Sequence, residues 1–326
     1  MVQKELKIAR EAVLRASAFT RRIQTRLTAR DTLQKGDKSP VTIADFAAQA
    51  LVCQHLNENC PGIPIVAEED SKNLRNPENR AVIRHILDFI GEDVSLSRRL
   101  DAENLFSAID LGNGHPGDFF WTLDPVDGTK GFLRGAQYAV ALALLSKGRV
   151  VAGVMGCPRI SFEDFPSAEG YLFYASRGGG ADIFNISTGE TQKLRVSSPR
   201  TFAKAKFVQS FETAHGDFDL MARIARKLDI THPPVKIDSQ VKYGIVAAGR
   251  AEIYLRIPNP KNPDYREKIW DHAAGSLIVT EAGGSVTDIS GKPLDFSLGR
   301  ELSANSGVLA TLPALKDTIL AEISRG

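Results

Sequence analysis

The stretch Trp121-Thr-Leu-Asp-Pro-Val-Asp-Gly-Thr-Lys-Gly-Phe-Leu-Arg-Gly135 decides how this chain is read. The apolar run from Phe119 to Leu123 leads straight into two carboxylates, Asp124 and Asp127, set around Pro125. Proline lacks an N–H and fixes φ, so a strand entering this segment is expected to stop there. Both acids then converge just past the strand end, where their repulsion calls for a cation, and hard oxygen ligands suit Mg²⁺. Gly128 and Thr129 follow at once and offer backbone N–H groups to an anion at a turn or helix start. A divalent ion on one side and a phosphate on the other is the layout of metal-assisted phosphate ester hydrolysis. Taken alone, Asp-Pro-Val-Asp also reads as a solvated turn.

Three further strings occur in order: Val41-Thr-Ile-Ala-Asp45, Ile65-Val-Ala-Glu-Glu69, and Trp270-Asp-His-Ala-Ala-Gly275 with Glu281-Ala-Gly-Gly284. Together with the central segment they resemble the motifs of the lithium-sensitive, Mg²⁺-dependent phosphatase superfamily of inositol monophosphatases, bisphosphate nucleotidases and fructose bisphosphatases. The likeness spans positions 41 to 284, with Ala67 standing where the family usually has glycine. It implies a layered αβαβα sandwich, of α+β or α/β class, with the site between two domains. It also implies that Asp124 bridges two Mg²⁺ ions, Asp127 ligates the second, and Glu68 and the Val126 carbonyl serve the first. Asp271 would be a further ligand of the second ion, in a set of two or three ions. Asp45 and Thr129 would form the pair that activates water, giving in-line attack by a metal-bound water with Gly128 and Thr129 N–H groups on the phosphoryl oxygens. Read as residues alone, Glu68 could open a surface loop, and Asp271 and Asp45 could be helix N-caps.

The tail of the central segment and the strings Asp238-Ser-Gln-Val-Lys-Tyr243, Glu252-Ile-Tyr-Leu-Arg256 and Glu267-Lys-Ile-Trp-Asp-His272 resemble the 3′(2′),5′-bisphosphate nucleotidase branch. That branch implies hydrolysis of adenosine 3′,5′-bisphosphate to AMP and phosphate, and of 3′-phosphoadenosine 5′-phosphosulfate as a second substrate, in sulfur metabolism. One phosphate sits at the metals and the other needs cations: Lys242 and Arg256 can supply them, with a hydroxyl from Ser239. The resemblance places His215 at base or sugar, whereas by itself it reads as a surface imidazole. The alternatives are an inositol polyphosphate 1-phosphatase and an inactive relative that senses the nucleotide.

The 326 residues suffice for two cores, and 43% hydrophobic with 25% charged residues is ordinary for a globular enzyme. A net charge of +2, without a basic run carrying aromatics, gives no support for nucleic acid or membrane partners. The expectation is a cytoplasmic monomer acting on a small nucleotide. Three cysteines without Cys-x-x-Cys spacing argue for a reducing compartment and against a disulfide framework or a zinc site. Residues 3 to 28 are Arg-rich enough to suggest a transit peptide, but Leu6, Ala9, Val13, Ala16, Ile23 and Leu27 repeat at helical spacing, which favours an amphipathic helix packed on the domain.

Further helices are expected at about Ala44–Asn59, Ala81–Ile90, Phe218–Leu228, Tyr243–Ala248 and Asp271–Ala282, with Pro313 starting the last. Strands are expected at Ile63–Ala67, Phe119–Leu123, Tyr138–Leu145, Arg149–Met155, Tyr171–Ala175, Lys206–Gln209, Ile237–Ser239 and Glu252–Ile257. Phe184 to Val196 suggests a hairpin, and the rest of residues 70 to 117 reads as a long surface excursion. A division near Val196 would separate a unit over 1–196, carrying most ligands, from one over 197–326, carrying Asp271 and the nucleotide contacts.

Overall fold

A computed structural model describes residues 2–27, 32–34, 40–92, 101–198, 202–211, 218–258 and 265–325. The chain opens with α1 (Gln3–Gln24), a short hairpin of β1 (Thr32–Gln34) and β2 (Pro40–Thr42), and α2 (Ile43–Asn59). Seven strands then build one sheet in sequence order: β3 (Ile65–Ala67), β4 (Phe119–Asp127), β5 (Ala139–Ser146), β6 (Arg149–Cys157), β7 (Tyr171–Ser176), β8 (Gly180–Asn185) and β9 (Thr191–Lys193). Only β3 and β4 run parallel; every later neighbour is antiparallel. The helices α3 (Arg80–Gly91), α4 (Ala102–Asp110) and α5 (Thr129–Leu133) lie within that half.

The second half forms a mixed sheet in the order β11 (Val235–Lys236), β10 (Phe207–Gln209), β12 (Ile253–Arg256), β14 (Val308–Thr311), β13 (Ser285–Thr287). Its helices are α6 (Phe218–Lys227), α7 (Val241–Ala247), α8 (Ala273–Glu281) and α9 (Pro313–Ile323).

Strand alternation builds the layers. Along β5, Val140, Leu142 and Leu144 join the core under α1 and α2, while Ala139, Ala141 and Ala143 join the core beneath α8. Along β12, Tyr254 faces that same central core, and Ile253 and Leu255 face an outer core with Ile224 of α6 and Leu315 and Ile319 of α9. The order is therefore α1/α2, large sheet, α7/α8, small sheet, α6/α9, which is the expected αβαβα sandwich. Small residues set the spacing of the central layer. A Cβ at Gly153 of β6 would lie 3.0–3.1 Å from the Ala274 carbonyl oxygen and Cα, so α8 rests directly on the sheet and brings Asp271 toward the end of β4.

Several expectations need correction. The strand does not stop at Pro125: β4 continues to Asp127, with Asp124 opposite Ala141 but Asp127 opposite Ala139. Three residues on β4 thus answer two on β5, a bulge. On the other side β3 pairs only as far as Ala67 with Leu123, so the missing proline N–H costs no ladder bond. The excursion over 70–117 contains α4, where Asp101 accepts the Asn104 N–H at 2.8 Å and Leu105, Phe106 and Ile109 are buried. The strand expected over 237–239 is instead the two-residue β11, and Ser239 turns into the left-handed region at φ 67°. The hairpin's first strand is β8, starting at Gly180, and its second is only β9. Asp271 closes a 3₁₀ turn, Ile269–Asp271; His272 holds the N-cap position of α8 and its side chain caps nothing.

Candidate active site

The carboxylates arrive from four separated places. Asp45 comes from the first turn of α2, but not as its cap. Thr42 is the N-cap, and Asp45 at the third helical position closes a capping box: its Oδ2 accepts the Thr42 N–H at 2.8 Å and the Thr42 hydroxyl at 2.7 Å. Its Oδ1 faces the Thr129 hydroxyl at 3.5 Å, longer than an ordinary O–H···O bond. That hydroxyl lies nearer the Val126 carbonyl, at 3.2 Å.

Glu68 follows β3 directly, its N–H donating to the Leu123 carbonyl at 3.1 Å. The loop beyond it is held from within. The buried Gln49 amide of α2 donates to the Glu69 carbonyl at 2.6 Å and accepts the Glu69 N–H at 3.0 Å. Glu69 is therefore a buried, backbone-anchored residue and not part of a solvated loop.

Asp124 lies at the centre. It is 2% exposed, and its Oδ1 is buried with no hydrogen-bond partner among the described residues. Burial, followed by the charges of Glu68, Asp127, Asp271 and Asp45, pushes its carboxyl pKa well above the usual range. Asp271 is driven the same way by burial and by Asp127, against the opposing pull of Arg256. A buried acceptor among four other acids is poorly matched to this protein alone, and a hard divalent cation would satisfy it. The donor set thus fits the Mg²⁺ that the sequence implied.

Gly128 adopts φ 88° at the start of α5, and a Cβ there would lie 2.8 Å from the Ser239 Cβ. That close approach brings the Gly128-Thr129 step against the 238–240 turn of the second half. The seam is tied by Asp127, whose Oδ2 accepts the Gln240 N–H, and by Arg134, which pairs with Asp238.

Beyond that seam stand the cations. Lys242 is buried in α7; its Nζ donates to the Ser210 hydroxyl at 3.1 Å and lies 5.4 Å from the Tyr254 ring centroid. Burial pulls its pKa down to about 8, opposed by Asp127 and Asp238. The Arg256 Nε donates to Glu267 Oε1 at 2.7 Å, and this cation holds the Glu267 pKa at about 2 against burial. His272 Nε2 donates to Glu267 Oε2 at 3.1 Å, which leaves Nδ1 to accept the Tyr243 hydroxyl at 2.7 Å. Among the described residues, Glu267, Asp271 and His272 form a group whose candidate ligand atoms all lie within 4.8 Å of one another. Both Glu267 oxygens and both His272 nitrogens are already engaged, so within this group Asp271 is the member left to face a cation.

The structure therefore brings Asp45, Glu68, Asp124, Asp127, Thr129 and Asp271 into one electrostatic neighbourhood, with Ser239, Lys242 and Arg256 alongside. His215 lies outside the described residues. Gln49, Arg134, Gln240, Glu267 and His272 were not singled out as site residues by sequence. Arg134, Gln240, Glu267 and His272 all lie within the segments that carry the resemblance, but nothing in their spacing marks the pairing of Glu267 with Arg256. Two cavities of about 790 and 570 Å³, one bordered by Arg195 and Pro313 and one by Arg149 and Phe296, lie elsewhere and touch none of these groups.

A two-sheet sandwich converging acids on one buried carboxylate defines a class of protein, and comparison with known families agrees. Residues 1–325 match the inositol monophosphatase family, and the chain belongs to it. It is 43% identical to a 3′(2′),5′-bisphosphate nucleotidase of Oryza sativa, over 98% of this chain and 93% of that protein. It is 41% identical to the enzyme of the same name from Emericella nidulans, over 99% and 98%. Among solved structures, the IMPase of Thermotoga maritima superposes with a TM-score of 0.66 at 21% identity, covering 100% of this chain and 98% of that one. The inositol monophosphatase of Anabaena gives 0.63 at 21%, covering 99% and 96%; at these identities the likeness speaks to fold. Among the described residues no helix is long and apolar enough to cross a membrane.

Proposed function

We propose that this chain is a Mg²⁺-dependent phosphatase that removes the 3′-phosphate of adenosine 3′,5′-bisphosphate, with 3′-phosphoadenosine 5′-phosphosulfate as a second substrate and with Li⁺ as an inhibitor. The observation that carries the reading is the buried Asp124, with an unpartnered oxygen amid Glu68, Asp127 and Asp271, set beside the cations Lys242 and Arg256. The names of the relatives at 41–43% identity support the nucleotide substrate.

In this reading Glu68, Asp124, Asp127, the Val126 carbonyl and Asp271 hold two or three Mg²⁺ ions. Bound there, the ions would acidify water and neutralise charge on the phosphoryl and leaving oxygens. Thr129 orients the attacking water through its hydroxyl, and Asp45, whose Oδ1 faces that hydroxyl, completes the water-activating pair. Backbone N–H groups of Gly128 and Thr129 meet the phosphoryl oxygens. Lys242, Arg256 and the Ser239 hydroxyl hold the second phosphate, and His215 contacts the base or sugar. We place the division between units at Val196: strands of the large sheet precede it and those of the small sheet follow it.

The test is phosphate release from adenosine 3′,5′-bisphosphate, inositol 1-phosphate and inositol 1,4-bisphosphate, each with and without Mg²⁺ and with Li⁺ replacing K⁺. The nucleotide should be the best substrate, only with Mg²⁺, and inhibited by Li⁺. Preference for an inositol phosphate would overturn the substrate assignment.

A further inference from the structure

Arg300 lies far along the chain from both arms of the metal cluster, yet it touches each. Its Nη2 donates to the Ala67 carbonyl, and its guanidinium carbon stands 4.8 Å from the centroid of the Trp270 ring. Ala67 immediately precedes Glu68, and Trp270 immediately precedes Asp271. The Arg300 backbone is itself fixed to the Asp271 arm. The Ile269 N–H donates to its carbonyl at 3.1 Å, and the Leu302 N–H donates to the Glu267 carbonyl at 2.8 Å. One guanidinium therefore spans from the bridged segments that lead into the 3₁₀ turn of Asp271 to Ala67, the last residue of β3, next to Glu68.

The contact has energetic weight. Ala67 is fully buried, and no other donor to its carbonyl is found among the described residues. Removing Arg300 would leave that acceptor without its partner and would free the turn into Glu68. The stack on Trp270 needs a flat cation, which Arg has and Lys lacks.

We propose that Arg300 is a positioning residue that sets the separation of Glu68 and Asp271, and so tightens the divalent-cation site without touching the ion. The proposal rests on reading those two acids as ligands, and it predicts a sign that simple electrostatics reverses. Arg300 is a cation near an acidic cluster, so if only its charge mattered, its removal would strengthen Mg²⁺ binding. If it acts as a clasp, removal weakens binding despite the gain in local negative charge.

The experiment measures Mn²⁺ binding by calorimetry and by electron paramagnetic resonance, without nucleotide, on the full chain. Wild type, Arg300→Met, Arg300→Lys and Glu68→Gln are compared, with far-UV circular dichroism as the check on folding. Loss of a group that orients a metal ligand weakens affinity roughly 10- to 100-fold, and that range is expected for Arg300→Met. Arg300→Lys keeps the charge but loses the flat stack, so it too should bind more weakly. It carries the test if Arg300→Met does not fold. Folded Arg300 variants that bind Mn²⁺ as tightly as wild type, or more tightly, would overturn the clasp. Undiminished binding by Glu68→Gln would instead overturn the ligand reading beneath it, whatever the substrate.

Discussion

The carboxylate of Asp127, at the end of β4, accepts the backbone N–H of Gln240, which opens α7. The Gln240 side chain goes on to donate to the Trp270 carbonyl at 3.0 Å, next to Asp271. A single buried residue thus connects two acids that lie 144 positions apart, counted as 271 minus 127. The site is assembled by the seam between the sheets, and its behaviour should show that.

In the proposed reading Asp124, with its buried unpartnered Oδ1, is the group that most needs a cation. Asp124→Asn should lower kcat by at least about 10²-fold, the scale of losing one major transition-state stabiliser. Chelation should abolish wild-type turnover, and Mg²⁺ should restore it. Near-normal turnover in the variant, or full activity after exhaustive chelation, is the contrary result.

Metal binding should release protons. The raised carboxyl pKa values of Asp124 and Asp271 mean that the cation-free cluster keeps protons above the usual carboxylate range. A bound cation must displace them, so apparent Mg²⁺ affinity should rise with pH and level off once the cluster is ionised. Calorimetry in two buffers of different ionisation enthalpy measures the released protons. Heats that do not depend on the buffer at acid pH would contradict the shift.

Thr129→Ala should cut kcat while leaving Mn²⁺ affinity nearly intact, because in the proposed mechanism the hydroxyl orients water and is not a ligand. Asp45→Asn carries a second cost, since Oδ2 also closes the capping box with Thr42, so its melting temperature should fall as well. The double variant should be less than additive in kcat if the two act as one unit. Proportional loss of metal binding and rate in Thr129→Ala would make the residue structural.

Specificity should depend on Lys242. A charge-assisted contact is worth roughly 1.5–3 kcal/mol, or about one to two powers of ten in kcat/KM. Lys242→Ala should cost that factor for adenosine 3′,5′-bisphosphate and little for 3′-AMP. With its pKa lowered from 10.5 to about 8, the ammonium is present below that pH and lost above it. The bisphosphate's advantage should therefore shrink as pH rises through about 8, and this slope should vanish in the variant. Equal losses on both nucleotides would place Lys242 in the catalytic core or the fold.

Gly275→Ala should destabilise the protein even though it sits in a helix. Alanine gains up to about 1 kcal/mol in helix propensity. Its Cβ, however, would lie 2.2 Å from Tyr243 Cδ2, and overpacking a tight core costs about 1–3 kcal/mol. The displaced ring would also strain the bond from the Tyr243 hydroxyl to His272. Thermal unfolding checks it: a melting temperature at or above wild type would mean that the ring yields freely.

Several features of this protein were legible in the sequence by itself. Alternation and 3.6-residue periodicity are local, so α1, α2, β5 to β7 and α9 could be placed to within a few residues. Asp-Pro-Val-Asp-Gly-Thr and its companion strings were enough for the family, and through that likeness for a set of candidate acids, because such motifs reside in residue type and order. Tertiary structure decided the rest, for definite physical reasons. Whether β4 ends at Pro125 or bulges past it depends on where the parallel partner β3 stops, which no residue of β4 encodes. Asp45 closes a box behind Thr42, and Asp271 ends a 3₁₀ turn, because caps are set by the direction from which the chain enters a helix. Glu267 could not be paired with Arg256, nor Arg300 with Ala67, from spacing alone: those contacts exist only after two sheets have closed on the small residues of α8.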